Sequence, residues 1–338
     1  MSLSDILNKG AQKTSTFYRL PDSKKKISVF GSPAFVKDMC EMLDVLVHSP
    51  TALKLLNFYA DFTPPRTIEG WENKPLDNGR NLPDRIQVAY NKDRPESKYG
   101  FLTLLPHEIR HNYNMPRPKS YILHAVAYAI NEVDAHAIGA LVALELEQYL
   151  AKQNTPYADN IRAQLNKEPD NTYFKELYAK TKGTEKERKA QTVTQYVLDY
   201  AQYSPPGTDK TFAEMCYKSC LERDTTKTAG GWKQGTEIVL KLMENRLLGK
   251  TLPDLPDLKG RKKLPDEKNI IRKELDGFAK KLMKGTYMTD LLPYGKNIAA
   301  DKLLQTAVPS LYKHLKDIGV LDLVPPHPHP TMRTPFYR

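Results

Sequence analysis

His107-Glu108-Ile109-Arg110-His111 sets two imidazoles four residues apart, with a carboxylate directly after the first. On a helix, positions i and i+4 share a face, so both rings can grip one divalent cation. Two neutral imidazoles hold such a cation without cancelling its charge, and it stays a strong Lewis acid. Glu108 then sits where it can take a proton from an attacking water. The chain has eight His in 338 residues, so a chance match to this pattern turns up in roughly one such chain in a hundred. A catalytic zinc site also needs a third protein ligand, with the fourth position left open.

The segment from Ser120 to Ala151 is where that ligand can come from. Ile122, Val126, Ala129, Ile130, Val133, Ala137, Leu141, Leu144 and Leu146 recur at near-helical spacing, with no Pro between them. Glu132 sits in the middle of this apolar helix, and a buried Glu needs a partner, for which a metal will serve. His124, Tyr128, Glu132 and His136 follow one another at intervals of four and draw a polar line along the same helix. Tyr128 or His136 can orient ligands or donate to a developing oxyanion; the plainer reading is a satisfied polar row. His136 is the rival to Glu132 as third ligand. Tyr113 reads as packing; Arg110 can ion-pair with a carboxylate near the site, though a solvent-facing residue is the simpler reading.

His107-Glu108-x-x-His111 followed by Glu132 resembles the zincin metallopeptidases of the glutamate-ligand group, the gluzincins. Glu132 lies 21 residues after His111, close to that group's spacing. Asn131 before it and the small residues Ala135, Ala137, Gly139 and Ala140 also resemble the third-ligand helix, where close packing needs short side chains. Ser32-Pro33-Ala34-Phe35, then Ser49-Pro50-Thr51-Ala52, then the two metal motifs, resemble bacterial effector-type zinc metallopeptidases and related uncharacterised metallopeptidase domains. The likeness covers roughly residues 26–152. It implies one Zn²⁺ held by His107, His111 and Glu132, with Glu108 as general base. The Asp expected one turn after the ligand Glu in some gluzincins is His136 here, and Asp134 points elsewhere on the helix. Pro106, before His107, fits best as the first residue of a short helix, since inside one it removes a donor and clashes with the preceding turn.

The totals are those of a folded chain: 40% hydrophobic and 27% charged residues, enough for a sizeable core. No run of 18 or more apolar residues exists, so no membrane span is expected. The N-terminus lacks an apolar stretch before a small-residue cleavage site, which implies a cytoplasmic protein or one exported without a cleaved signal peptide. Three Cys, an odd count without regular spacing, read as small buried thiols in a reducing compartment. A net charge of +11 permits attraction to nucleic acid or acidic partners. The basic residues are interleaved with acids, however, and clusters such as Lys24–Lys26, Lys182–Lys189 and Arg261–Lys263 read as solvated faces. No nucleic-acid signature is found.

The expected fold is α+β: a small zincin-like catalytic domain with a short mixed sheet and the metal helix, then an all-α region. Residues 1–25 read as a flexible arm, 26–155 as the catalytic domain, 156–320 as helical and 321–338 as a Pro/His-rich tail. Lys26–Phe30, Thr67–Ile68 and Arg85–Tyr90 are the strands, the last as an edge strand beside the cleft, around a Pro/Gly/Asn-rich loop at 72–83. Ser32-Pro33 and Ser49-Pro50 start two helices. Helices are expected over 157–166, 170–181, 185–203, 209–224, 235–248, 267–284 and 298–318. The function this implies is a zinc metallopeptidase acting on a protein or peptide, an effector being one form of it. The alternatives are a non-catalytic zincin-fold interaction protein, a basic helical nucleic-acid binder, and another zinc hydrolase acting on cell-wall peptides or amides.

Overall fold

The computed structural model describes residues 13–21, 23–72, 79–112, 121–202, 204, 208, 211–224, 312, 313 and 316. Five strands form one mixed sheet: β1 (Thr14–Arg19), β2 (Lys26–Gly31), β3 (Thr67–Glu72), β4 (Gly79–Asn81) and β5 (Arg85–Tyr90), in the order β1-β2-β3-β5-β4. β1 runs antiparallel to β2, and β2, β3 and β5 run parallel. β4 turns back along β5, with Gly79 opposite Val88 and Asn81 opposite Ile86. Inward residues alternate along the strands: Ile27 and Val29, Ile68, then Ile86 and Val88, all but fully buried.

Two helices cross from β2 to β3, and each starts as a Ser-Pro pair dictates. Ser32 accepts from the Phe35 amide at 3.3 Å to cap α1 (Pro33–Leu46), and Ser49 accepts from the Ala52 amide at 3.1 Å to cap α2 (Pro50–Ala60). Proline at the first helical position has no amide to leave unsatisfied. Phe35, Met39, Met42, Leu43 and Leu46 of α1 are buried, as their spacing requires, and Phe35 meets Tyr90 and Phe101 edge-on at 5.4 and 5.8 Å. A short 3₁₀ turn (Pro95–Gly100) leads into α3 (Phe101–Arg110), which packs on α1, α2, β4 and β5.

α4 (Tyr121–Leu150) is a single 30-residue helix. From Ala129 to Leu146 every residue but Glu132 and His136 is buried, as expected of a helix packed into a core. α5 (Pro156–Leu165), α6 (Pro169–Lys180) and α7 (Glu185–Gln202) follow within two residues of expectation. A capping box opens α7, with Glu187 accepting from the Thr184 amide and Thr184 from that of Glu187. These described residues form two compact units. One holds the sheet, α1–α3, α4 from Asn131 and α5–α7 as far as Tyr200; the other holds the first turns of α4 and α8 (Phe212–Asp224). The fold is thus α+β, and no helix among the described residues is long and apolar enough to cross a membrane.

Several expectations change. Residues 14–19, read as part of an arm, form β1, because Thr14 to Arg19 pair in register with Gly31 to Lys26. β5 is an interior strand; the edge on that side is β4, within the stretch read as loop. Pro106 lies inside α3, not at its start. Lys189 turns inward from its basic cluster toward Glu145. Cys40 and Cys216 are half-buried thiols. The helices expected over 235–248, 267–284 and 298–318, the Arg261–Lys263 cluster and the C-terminal tail lie outside the described residues, apart from isolated positions.

Glu145 ties the helices together. Its buried carboxylate accepts from the Ser49 hydroxyl, from the Thr51 amide at 3.0 Å and hydroxyl at 3.1 Å, and from Lys189 Nζ at 2.9 Å. Replacing it with Ala leaves the Thr51 amide and the Ser49 and Thr51 hydroxyls without this acceptor, and Lys189 with Glu185 in place of two carboxylates. A loss of about 3–5 kcal/mol is expected, read as a lower urea midpoint with unchanged slope.

Candidate metal centre

α3 delivers its two imidazoles at its C-terminal end. His107 is in the last turn and His111 is the residue that caps the helix. Pro106 removes one helical hydrogen bond here, a defect worth about 3 kcal/mol in an isolated helix. Tertiary packing holds the turn instead, since Leu102, Leu105, Pro106 and Ile109 are all buried. α4 supplies Glu132 and comes close because its facing residues are small. A Cβ on Gly139 would stand 3.1 Å from the Thr103 carbonyl oxygen.

His107 Nε2 and His111 Nε2 lie 3.1 Å apart, and Glu132 Oε2 is 3.6 Å from the first and 3.7 Å from the second. In a tetrahedral zinc site with bonds of about 2.1 Å, ligand atoms stand about 3.4 Å from one another. Atoms spaced as these are define a circle of about 2.0 Å radius, so a cation about 2.1 Å from each fits just off their plane. Among the described residues these three are the His, Cys, Asp or Glu side chains that converge so. The donor chemistry also fits. The Asn131 amide oxygen accepts from His111 Nδ1, which puts the ring proton there and leaves Nε2 a bare lone pair. Burial, opposed by Glu132, pulls His107 down to about 3, so its ring is neutral. A neutral imidazole keeps one nitrogen lone pair available, as cation binding requires.

Glu108, the residue after His107, lies against β4 and within electrostatic reach of His111 and Glu132. It is buried, and burial raises its carboxyl to about 7, with the His111 ring opposing and the Glu132 charge adding to the rise. β4 lies against it: Asn81 Nδ2 donates to the Glu108 carbonyl at 2.9 Å, and a Cβ on Gly79 would collide with the Glu108 carboxyl group. β4 therefore needs its glycine where it passes this side chain.

Arg110 is not solvent-facing. Its Nε donates to Asp134 Oδ2 at 2.5 Å, with 1% and 2% of the two side chains exposed. Asp134 does point away from Glu132, and this is where it points. His136 is not one of the converging donors. Its ring packs edge-on against His107, and its Nδ1 lies 3.5 Å from Asp170 Oδ2. Tyr128 is half-buried and falls in the other unit, and Tyr113 and the His124 side chain lie outside the described residues. Sequence reasoning missed the roles of Asn131, Asp134, Gly79, Asn81 and Asp170. Only Asn131 carried a local sign, its place beside Glu132.

Asp134→Asn removes the carboxylate charge that faces the buried Arg110 guanidinium, so a stability loss of about 3–5 kcal/mol is expected. The apolar pair Arg110→Met with Asp134→Leu should recover most of it, both read by urea unfolding. No protein-family model, curated protein or solved structure matches the chain.

Proposed function

We propose that the chain is a zinc-dependent metallopeptidase, with His107, His111 and Glu132 as the metal ligands and Glu108 as general base. One observation carries this reading: three lone-pair donors converge at zinc spacing while a buried carboxyl lies next to the first of them in sequence. A bound Zn²⁺ would supply Lewis acidity, lowering the pKa of water and polarising a carbonyl. Glu108, raised toward neutral pH, accepts the proton of the attacking water and later passes it to the leaving amine. Asn131 keeps the His111 ring turned so that Nε2 faces the other donors.

A peptide is the substrate class that the surroundings support. β4 ends the sheet, and its outer edge has no strand partner among the described residues. An extended peptide adding to that edge would be held by backbone hydrogen bonds beside Glu108. The mixed sheet with an antiparallel strand next to the metal helix agrees with the zincin-like domain that the resemblance implies.

Metal analysis and cleavage of a random peptide pool test this together. The parent chain should hold one zinc, and Glu132→Ala should weaken it by more than ~100-fold. Glu108→Gln should keep the metal and lose ~10²–10⁴-fold in cleavage rate. A parent chain without zinc, or undiminished cleavage by Glu108→Gln, overturns the proposal. Gly79→Ala pushes on the Glu108 carboxyl group, so kcat/KM is expected to fall at least ~10-fold, equivalent to about 1.4 kcal/mol, with zinc content unchanged.

A further inference from the structure

Two residues of α4 flank Glu132, and each meets one of the two imidazoles. Asn131 takes the His111 Nδ1 proton. His136, one turn beyond Glu132 and so on the same face, brings its ring against that of His107, with centroids 4.6 Å apart and planes at 79°. The His136 ring is itself held. Asp170 of α6 lies 3.5 Å from its Nδ1, and the Tyr200 ring of α7 covers it at 5.0 Å. Tyr200 stacks on Tyr196 at 5.3 Å with planes 12° apart, and Tyr196 is fully buried against Phe174. A continuous run of rings thus joins the proposed metal ligand to the packed core between α6 and α7.

We propose that His136, hooked by Asp170 and backed by Tyr200, is the positioning residue for His107. It does by ring packing what Asn131 does for His111 by a hydrogen bond. The inference rests on the metal-centre reading above and gives α6 and α7 a part in it. A ligand ring free to turn about its side-chain bonds must be immobilised when it binds, and that entropy is subtracted from affinity; a ring already wedged loses less. His136 acts here through its shape and not as a ligand, since the converging donors are His107, His111 and Glu132.

Zinc affinity, measured by competition with a chromogenic chelator, tests this in the full-length chain. His136→Ala should weaken zinc ~10–100-fold, and His136→Phe, which keeps a ring but has no nitrogen, should restore affinity to within ~3-fold of the parent. Asp170→Ala should weaken zinc by no more than the ~3-fold allowed to His136→Phe and have no effect in the His136→Phe background, where the hook is already gone. Melting of the metal-free proteins controls for folding: the affinity change should persist in variants that melt with the parent. Unchanged zinc affinity in His136→Ala overturns the proposal. His136→Phe binding as poorly as His136→Ala also overturns it, by making the imidazole nitrogen the working group. A parent chain that binds no zinc overturns the metal centre itself, and this inference with it.

Discussion

The Arg110–Asp134 ion pair is the constraint on which the candidate site depends. Arg110 precedes His111 by one residue and Asp134 follows Glu132 by two, so the pair lies within a residue or two of the proposed ligands on both helices. Both charges are almost wholly removed from water, and each is the other's compensation. Sliding α3 along α4 would separate them at a cost of several kcal/mol, and the same slide would take Glu132 away from the two imidazoles. The close approach of Gly139 to the Thr103 carbonyl fixes the distance between the helices as the ion pair fixes their register. A short helix interrupted by Pro106 can therefore present two ligands at a defined separation.

The helix that carries Glu132 shows how polar groups are used inside a core. α4 is largely buried beyond Ala129, and its buried residues include Asn131, Asp134 and Glu145. Each has a named partner on another element: His111 and Arg110 of the α3 end, and Ser49, Thr51 and Lys189 on α2 and α7. Apolar packing is largely indifferent to rotation and register, whereas these bonds are satisfied in one arrangement only. The helix is thus seated by three polar contacts in an otherwise apolar surface.

Burial also sets the electrostatic character of the site. The desolvation that holds His107 neutral raises the Glu108 carboxyl toward neutral pH. One feature of the environment therefore moves the two neighbouring side chains in opposite directions, as the proposed ligand and base roles require. The approach of β4 at Gly79 and Asn81 helps to produce that environment, so the edge strand is part of the candidate site.

Periodicity, capping and motif spacing determined much of this protein. Ser32-Pro33 and Ser49-Pro50 start helices wherever they stand, because the cap and the missing amide are local. The apolar stripe of α4 and the i, i+4 imidazoles likewise follow from helical geometry alone. Strand β4 was not legible, because three residues in an Asn- and Pro-rich stretch become a strand only when β5 lies alongside. Nor was β1, whose exposed alternating residues resemble any polar arm until β2 pairs with them. Only the tertiary structure decided that Glu132 and not His136 joins the imidazoles, that Arg110 turns inward to Asp134, and that Glu108 is buried beneath a glycine. The reason is the same in each case: those outcomes depend on which groups from distant parts of the chain share a space from which water is excluded, and spacing along one segment carries no information about that.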